Sequence, residues 1–155
     1  MSNSSMIRQQ ITQCQYDIES CKQKISELSQ RIQEQTAEYN KYVNKTDEYQ
    51  GKMATYLNKT NAVYEHAEKS TLSQKYQELM SGEFNESIWA GKKQQLEDLG
   101  NSMNREIENN KAELEGLQQN LNNLYSRLSS LQSQYEAALR REAAEQAAER
   151  AAAAK

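Results

Sequence analysis

The chain has 155 residues, no proline and only 5 glycines, and 36% of its residues are hydrophobic. Proline interrupts helices and glycine weakens them, so their scarcity excludes a turn-rich fold and favours long uninterrupted helices. The mean hydropathy of −1.05 excludes a thick globular core but leaves enough apolar surface for a narrow seam between helices. The net charge of −3 mixes 19 basic with 22 acidic residues, so no basic face indicates nucleic-acid binding. No apolar stretch reaches the roughly 18 residues that a membrane span requires.

A heptad pattern runs along the first arm of the chain. Apolar residues recur with alternating spacings of three and four, which predicts one seam along a gently supercoiled helix. The seam positions are Ile7, Ile11, Cys14, Ile18, Cys21, Ile25, Leu28, Ile32, Gln35, Tyr39, Tyr42, Thr46, Tyr49, Met53, Tyr56, Thr60 and Val63. Gly51 predicts a kink or the close approach of a partner, with a tolerated surface glycine as the alternative.

A helix stop separates the first arm from the second. The pattern fades after Val63, and Ser70 to Met80 is predicted to form a shorter helical piece. Gly82 ends it, because glycine readily takes the left-handed conformation that closes a helix. The second arm restarts with Asn85 or Ser87 as its N-cap. Its seam, which excludes Gly100 and Gly116, contains Leu96, Met103, Ile107, Asn110, Leu114, Leu117, Leu121, Leu124, Leu128, Leu131, Tyr135 and Ala138.

Two such arms predict an all-α fold, a long antiparallel helical hairpin (coiled coil) with a Trp-x-Gly junction. We expect the hairpin at residues 1–140, with arm one at about 4–80, the junction at 81–91 and arm two at about 92–140. Residues 141–155 are rich in Ala, Glu and Arg and are predicted to form a helical tail that frays toward its end. Two helices cover only one side of each other, so residual apolar stripes predict a further helical partner.

The sequence offers no convergence of titratable residues, and the chain is predicted not to be an enzyme. His66 is the single histidine, and its neighbours Glu65 and Glu68 indicate an exposed helix surface. Cys14 and Cys21 lie about 10.5 Å apart along a helix, too far for a disulfide. Two cysteines are also too few for a zinc site, so they are predicted to fill the seam. A cross-link between mates in a parallel homodimer is the alternative. No cofactor and no metal site are expected.

The sole tryptophan defines the predicted junction, which comprises Gly82, Phe84, Trp89 and Gly91. The indole of Trp89 can cap the end of the hairpin, while Gly91 lets the backbone turn closely beneath it. A helical arm, a central Trp-x-Gly and a second helical arm resemble the ESX-type small helical proteins of type VII secretion. The resemblance is closer to the longer YwqH-like proteins of Gram-positive bacteria. It covers residues 5–140 as a pattern and residues 84–91 as a motif.

The resemblance implies a partner or targeting subunit of a secretion system. Such a subunit would bind the helical LXG domain of a toxin, or another small ESX-like protein, and help to present it for export. The Tyr-x-x-x-Asp/Glu export signal of ESX-type substrates has one match, Tyr64 to Glu68, on the first arm instead of after the second. The N-terminus lacks the apolar region of a secretory signal peptide, so a cytoplasmic location is expected, with any export by a leaderless type VII route.

The candidate partner-binding surface is the stripe of Tyr39, Tyr42, Tyr49 and Tyr56. Tyrosine offers a large contact area with a polar tip, which suits a surface that stays soluble before it binds. Packing of these tyrosines inside the hairpin seam is the alternative. The heptads support equally well a second function, a self-associating structural coiled coil such as a homodimeric spacer.

Overall fold

The computed structural model describes residues 2–67 and 86–155, with side chains described for residues 2–59 and 89–155. This part of the chain consists of two α-helices, α1 (Asn3–Ala67) and α2 (Glu86–Ala153), and contains no strand. The helices pack against each other with opposite directions. The predicted all-α helical hairpin is therefore confirmed. Neither described helix has a stretch apolar enough to cross a membrane.

Helix α1 has Ser2 as its N-terminal cap and continues without interruption. The Ser2 hydroxyl oxygen accepts a hydrogen bond from the Ser5 N–H at 3.2 Å, which pairs one of the N–H groups that a first helical turn leaves open. The helix passes through Gly51, where an added Cβ would meet nothing within 4 Å. Gly51 therefore stands on open helix surface, as in the alternative interpretation, and not at an interruption of the helix.

Helix α2 begins before the Trp-x-Gly motif and not after it. Its first residue is Glu86, so Ser87 lies inside the helix and is not its N-cap, and both Trp89 and Gly91 are helical. No residue of the described ranges has a positive φ, so Gly91 forms no turn. The predicted junction at 81–91 thus differs from the structure over residues 86–91.

Several predictions fall on residues 68–85, which lie outside the described residues. They concern the short helical piece at Ser70–Met80, the stop at Gly82, the N-cap Asn85 and the junction residue Phe84.

The helices pair in two compact units, each with its own share of the seam. Unit 1 comprises Met1–Arg31 and Asn110–Lys155, and unit 2 comprises Ile32–Asn109. The core of unit 1 is a cluster of buried seam residues, namely Ile7, Cys14, Ile18, Leu131 and Ala138. In unit 2, Ile107 is buried at a seam position of α2. Burying an aliphatic side chain of this size contributes about 1.5–3 kcal/mol, so the heptad residues hold each unit together.

The predicted tail belongs to α2. The helix continues to Ala153, and the N–H of Ala154 still donates to the Arg150 carbonyl at 3.1 Å. All side chains of residues 143–155 are exposed. Helical propensity accounts for this segment, because Ala, Glu and Arg are strong helix formers and little apolar surface is buried there.

Candidate partner-binding surfaces

Two thiols lie inside the seam of unit 1. Cys14 and Cys21 are 1% and 4% exposed, and both are free cysteines. Each Sγ–H donates a hydrogen bond at 3.4 Å to a carbonyl of α2, from Cys14 to Leu124 and from Cys21 to Leu117. The cysteines thus act as small seam residues with a satisfied weak donor. A cross-link between two copies of the chain would require this hairpin to open.

A polar pair closes the seam of unit 1. Ser4 stands one heptad before Ile11, and Glu142 stands one heptad after Tyr135. The Glu142 carboxylate accepts hydrogen bonds from the Ser4 N–H at 3.0 Å and from the Ser4 hydroxyl at 2.7 Å. These bonds, the backbone one first, lower the pKa of the Glu142 carboxyl, because they stabilise its charged form. Sequence reasoning missed this pair, although its heptad spacing continues the seam.

The carboxylate of Glu142 also accepts a hydrogen bond from an N–H group in the first turn of α1. The N–H of Ser4 is one of the groups that have no partner within the helix, so the second helix completes the capping that Ser2 begins. A negative charge at a helix N-terminus is further favoured by the helix dipole. One residue therefore caps α1 and pairs the two helices.

One edge of unit 1 carries apolar side chains that the hairpin covers only in part. Tyr125 and Leu139 are each 43% exposed, whereas Leu131 and Ala138 are buried. Spacings of three, four and seven place residues on one side of a helix. The row of Leu131 and Ala138 lies in the core, whereas the neighbouring row packs against the core through Leu121, Leu128 and Tyr135 and is most open at Tyr125 and Leu139. This open row, the apolar edge, consists of Leu114, Leu121, Tyr125, Leu128, Tyr135 and Leu139.

Helix α1 reaches the apolar edge through Lys22. The Lys22 ammonium lies 3.1 Å from the Glu19 carboxylate and also interacts with the Tyr125 hydroxyl. Both partners raise the pKa of Lys22, Glu19 more than Tyr125. The pair lies in water on the surface, so it contributes little to stability and leaves the rings and methyl groups of the edge accessible.

In unit 2, two of the predicted partner-facing tyrosines bind the second helix. The Tyr42 hydroxyl donates a hydrogen bond to the Leu96 carbonyl. The Tyr39 hydroxyl accepts one from the Asn104 side chain at 3.3 Å, and the two tyrosine rings lie 5.9 Å apart. Their polar tips and their rings are thus used within the hairpin.

The tryptophan of the Trp-x-Gly motif joins this aromatic group. The ring centroids of Tyr49 and Trp89 lie 5.2 Å apart with an interplanar angle of 51°, a tilted arrangement that aromatic pairs favour. Tyr56 is 50% exposed. Three of the four predicted tyrosines, Tyr39, Tyr42 and Tyr49, thus make contacts within the hairpin while remaining partly exposed, and their part in partner binding stays a prediction.

Gly100 makes room for Tyr42. It is buried, and a Cβ at this position would lie 2.7 Å from both Cε1 and the hydroxyl oxygen of Tyr42. The exclusion of Gly100 from the seam was therefore wrong. Its spacing shows this, since it follows Leu96 by four residues and precedes Met103 by three. At Gly116, by contrast, an added Cβ would meet nothing within 4 Å.

A groove of about 510 Å³ lies beside these contacts and is open to solvent. Tyr42 and Tyr49 of α1 face Leu96 and Leu99 of α2 across it. Leu99 is 51% exposed, so its methyl groups are open to a ligand in the groove. The other lining residues are Lys45, Thr46, Lys92 and Gln95.

Comparison with known proteins gave no matching family model, no matching curated protein and no matching solved structure. Within the described ranges, no group of three or more His, Cys, Asp and Glu side chains could hold a metal ion. The side chain of His66 lies outside the described residues. What the described side chains offer is contact surface, namely the apolar edge of unit 1 and the groove of unit 2.

Proposed function

We propose that this protein is a non-catalytic helical binding protein whose apolar edge receives a helix of a partner. The observation that carries this proposal is the continuous row of partly exposed leucine and tyrosine side chains along α2. Fully burying a side chain of this size gains about 1.5–3 kcal/mol, so covering the exposed 43% of Tyr125 and of Leu139 would add roughly 1 kcal/mol each, and the less exposed members of the edge would add less.

As the partner we propose the helical LXG domain of a type VII secretion toxin. The support is the resemblance carried by Trp89 and Gly91 between two long helices. An amphipathic helix laid into an apolar groove is a common mode of recognition, and it suits a toxin domain that is itself helical. Another small ESX-like protein would bind in the same way. In this role the protein acts in the cytoplasm as a targeting subunit, and any export of it follows a leaderless type VII route.

A self-associating structural coiled coil is the second function that the apolar edge favours. Two copies that join edge to edge would form a four-helix bundle and cover the same six side chains. The two functions differ in what covers the edge, so mass and composition of the native complex distinguish them.

The test is affinity capture of the tagged protein from its native cells, followed by mass spectrometry and light scattering of the eluted complex. The edge variant carries Tyr125→Gln and Leu139→Gln, because these two side chains are the most exposed of the edge. Tyr16→Gln is the matched control, since Tyr16 is 70% exposed and lies away from the seam.

We expect the wild type and the Tyr16→Gln control to bring down an LXG-type helical protein in stoichiometric amount, and the edge variant to lose it. Equal capture by the edge variant and the control would show that the edge is not the binding surface. A complex that contains this chain alone, at twice its mass, would establish self-association in place of partner binding.

A further inference from the structure

We propose that the groove of unit 2 is a second contact surface, and that its occupant is an acidic amphipathic helix. An aliphatic side chain of that helix enters between Tyr49 and Leu99, and carboxylates on either side of it pair with Lys45 and Lys92. The inference deepens the proposed function by giving the chemistry of the partner, and it rests on that function only in taking the partner to be helical.

Part of the groove lining is apolar, and the Tyr42 hydroxyl there already has a partner within the hairpin. The Tyr42 hydroxyl is bonded to the Leu96 carbonyl, and the ring of Tyr49 rests against Trp89. Leu99, which also lines the groove, is half exposed. The leucine side chains and tyrosine rings of this lining favour an apolar side chain of a ligand.

The charged residues that line the groove are basic, so they favour a ligand of negative charge. The lining contains two lysines and no acidic residue, although the chain as a whole carries a net charge of −3. Lys45 has one carboxylate partner, Glu48 at 3.5 Å on the same helix, and both side chains are largely exposed. Such a surface pair is weak and easily exchanged. Lys92 forms no ion pair within the described residues. The groove therefore presents two ammonium groups to a ligand.

Lys45 on α1 and Lys92 on α2 fit a partner helix that carries Glu one turn before or after a Leu. Residues three or four apart share a helix face, so one helix delivers both the aliphatic side chain and its flanking carboxylates. A helix with lysines in those places would meet like charges, which disfavours it.

The direct test is fluorescence titration with synthetic helices, because Trp89 is the single tryptophan of the chain and touches a residue of the groove. The probe is a stapled helix of Ala, Gln and Leu with Glu flanking each Leu. One matched probe has Lys in place of each Glu, and another has Ser in place of each Leu. We expect saturable binding of the Glu–Leu helix, with a Kd about tenfold or more lower than for either matched probe, and weaker binding as salt rises.

Two protein variants complete the test. Lys45→Glu with Lys92→Glu should invert the preference between the Glu and Lys probes. Lys41→Glu with Lys93→Glu makes the same change in net charge outside the groove, and it should leave the preference as in the wild type. Circular dichroism confirms that both variants are folded.

Equal affinity for the Glu and Lys probes, or no saturable change with either, would overturn the inference. A Trp89 signal that depends on protein concentration without any probe would assign the groove to a second copy instead. In native capture, a Lys45→Glu/Lys92→Glu variant that still brings down the LXG-type protein would remove the groove from that complex and leave the proposed function standing. Selective probe binding together with a native capture that recovers no partner would support the groove as a contact surface and count against the proposed function.

Discussion

Replacing Gly100 by alanine tests whether the Tyr42 ring lies against the bare backbone of α2. In an open helix, Gly→Ala gains about 1 kcal/mol from helix propensity. At Gly100 the new Cβ would lie 2.7 Å from two atoms of Tyr42, closer than real Cβ contacts. Overpacking of this kind typically costs about 1–3 kcal/mol. If the ring swings away, it gives up the hydrogen bond to Leu96, which costs roughly another 1 kcal/mol.

Gly116→Ala is the matched control, because the same Cβ there meets nothing within 4 Å. We expect Gly116→Ala to stabilise the protein by up to about 1 kcal/mol and Gly100→Ala to destabilise it by about 1–3 kcal/mol. The gap of about 1–4 kcal/mol corresponds to roughly 2–16 °C in Tm for a chain of this size. Urea unfolding is followed both by circular dichroism and by Trp89 fluorescence, since two compact units need not unfold in one step.

A double mutant identifies the cause. In a Tyr42→Ala background the obstacle is gone, so Gly100→Ala should become stabilising, as Gly116→Ala is. If the Gly100→Ala and Gly116→Ala single variants had equal free energies of unfolding, the close contact between Gly100 and Tyr42 would be refuted. An unchanged effect of Gly100→Ala after removal of the Tyr42 ring would refute it as well.

Three further predictions concern the ends and the interior of the hairpin. Because the folded-state pKa of Glu142 lies below its ordinary value of 4.5, the bonds to Ser4 stabilise the fold above that pH and are lost as the pH falls below it. Unfolding from pH 7 to pH 3 should therefore show a smaller loss of stability for Glu142→Gln than for the wild type, and equal losses would contradict the pairing. Cys14 and Cys21 should react with a thiol reagent only as the hairpin opens, far more slowly than in guanidinium, whereas immediate labelling of folded protein would place them outside the seam. Trp89→Arg should cost about 1–3 kcal/mol through loss of a partly buried ring and its aromatic contact, and should weaken partner binding with it. An unchanged urea midpoint and affinity would count against any role of Trp89 in the hairpin.

The heptad residues of both arms were predictable because their burial follows directly from helical periodicity. Ile7, Cys14 and Ile18 on α1 and Leu131 and Ala138 on α2 are buried where the 3-4 spacing puts them. Gly100 was misjudged because a glycine carries no hydrophobic signal, even though its spacing fits the seam. Ser4 and Glu142 were missed for a similar reason, since polar residues at seam positions are not counted in a search for apolar stripes.

The tyrosine stripe shows where periodicity stops being informative. A tyrosine at a seam position can pack inward or face a partner, and the pattern is the same in both cases. The choice depends on what the other helix offers at that level. Tyr42 contacts α2 because Leu96 supplies a carbonyl and Gly100 supplies space, and Tyr49 does so because Trp89 supplies a ring, while both side chains still line the open groove.

Within the described residues, the formation of two long helices and the position of the seam follow from the sequence alone. They depend on the absence of proline and on residue spacing, which act locally along the chain. The tertiary structure decided which seam residues are covered and which remain open. Whether a seam residue is covered depends on which residues of the other helix lie opposite it. No single residue determines that register by itself. The apolar edge and the lysine-framed groove are therefore visible only once the two helices are paired.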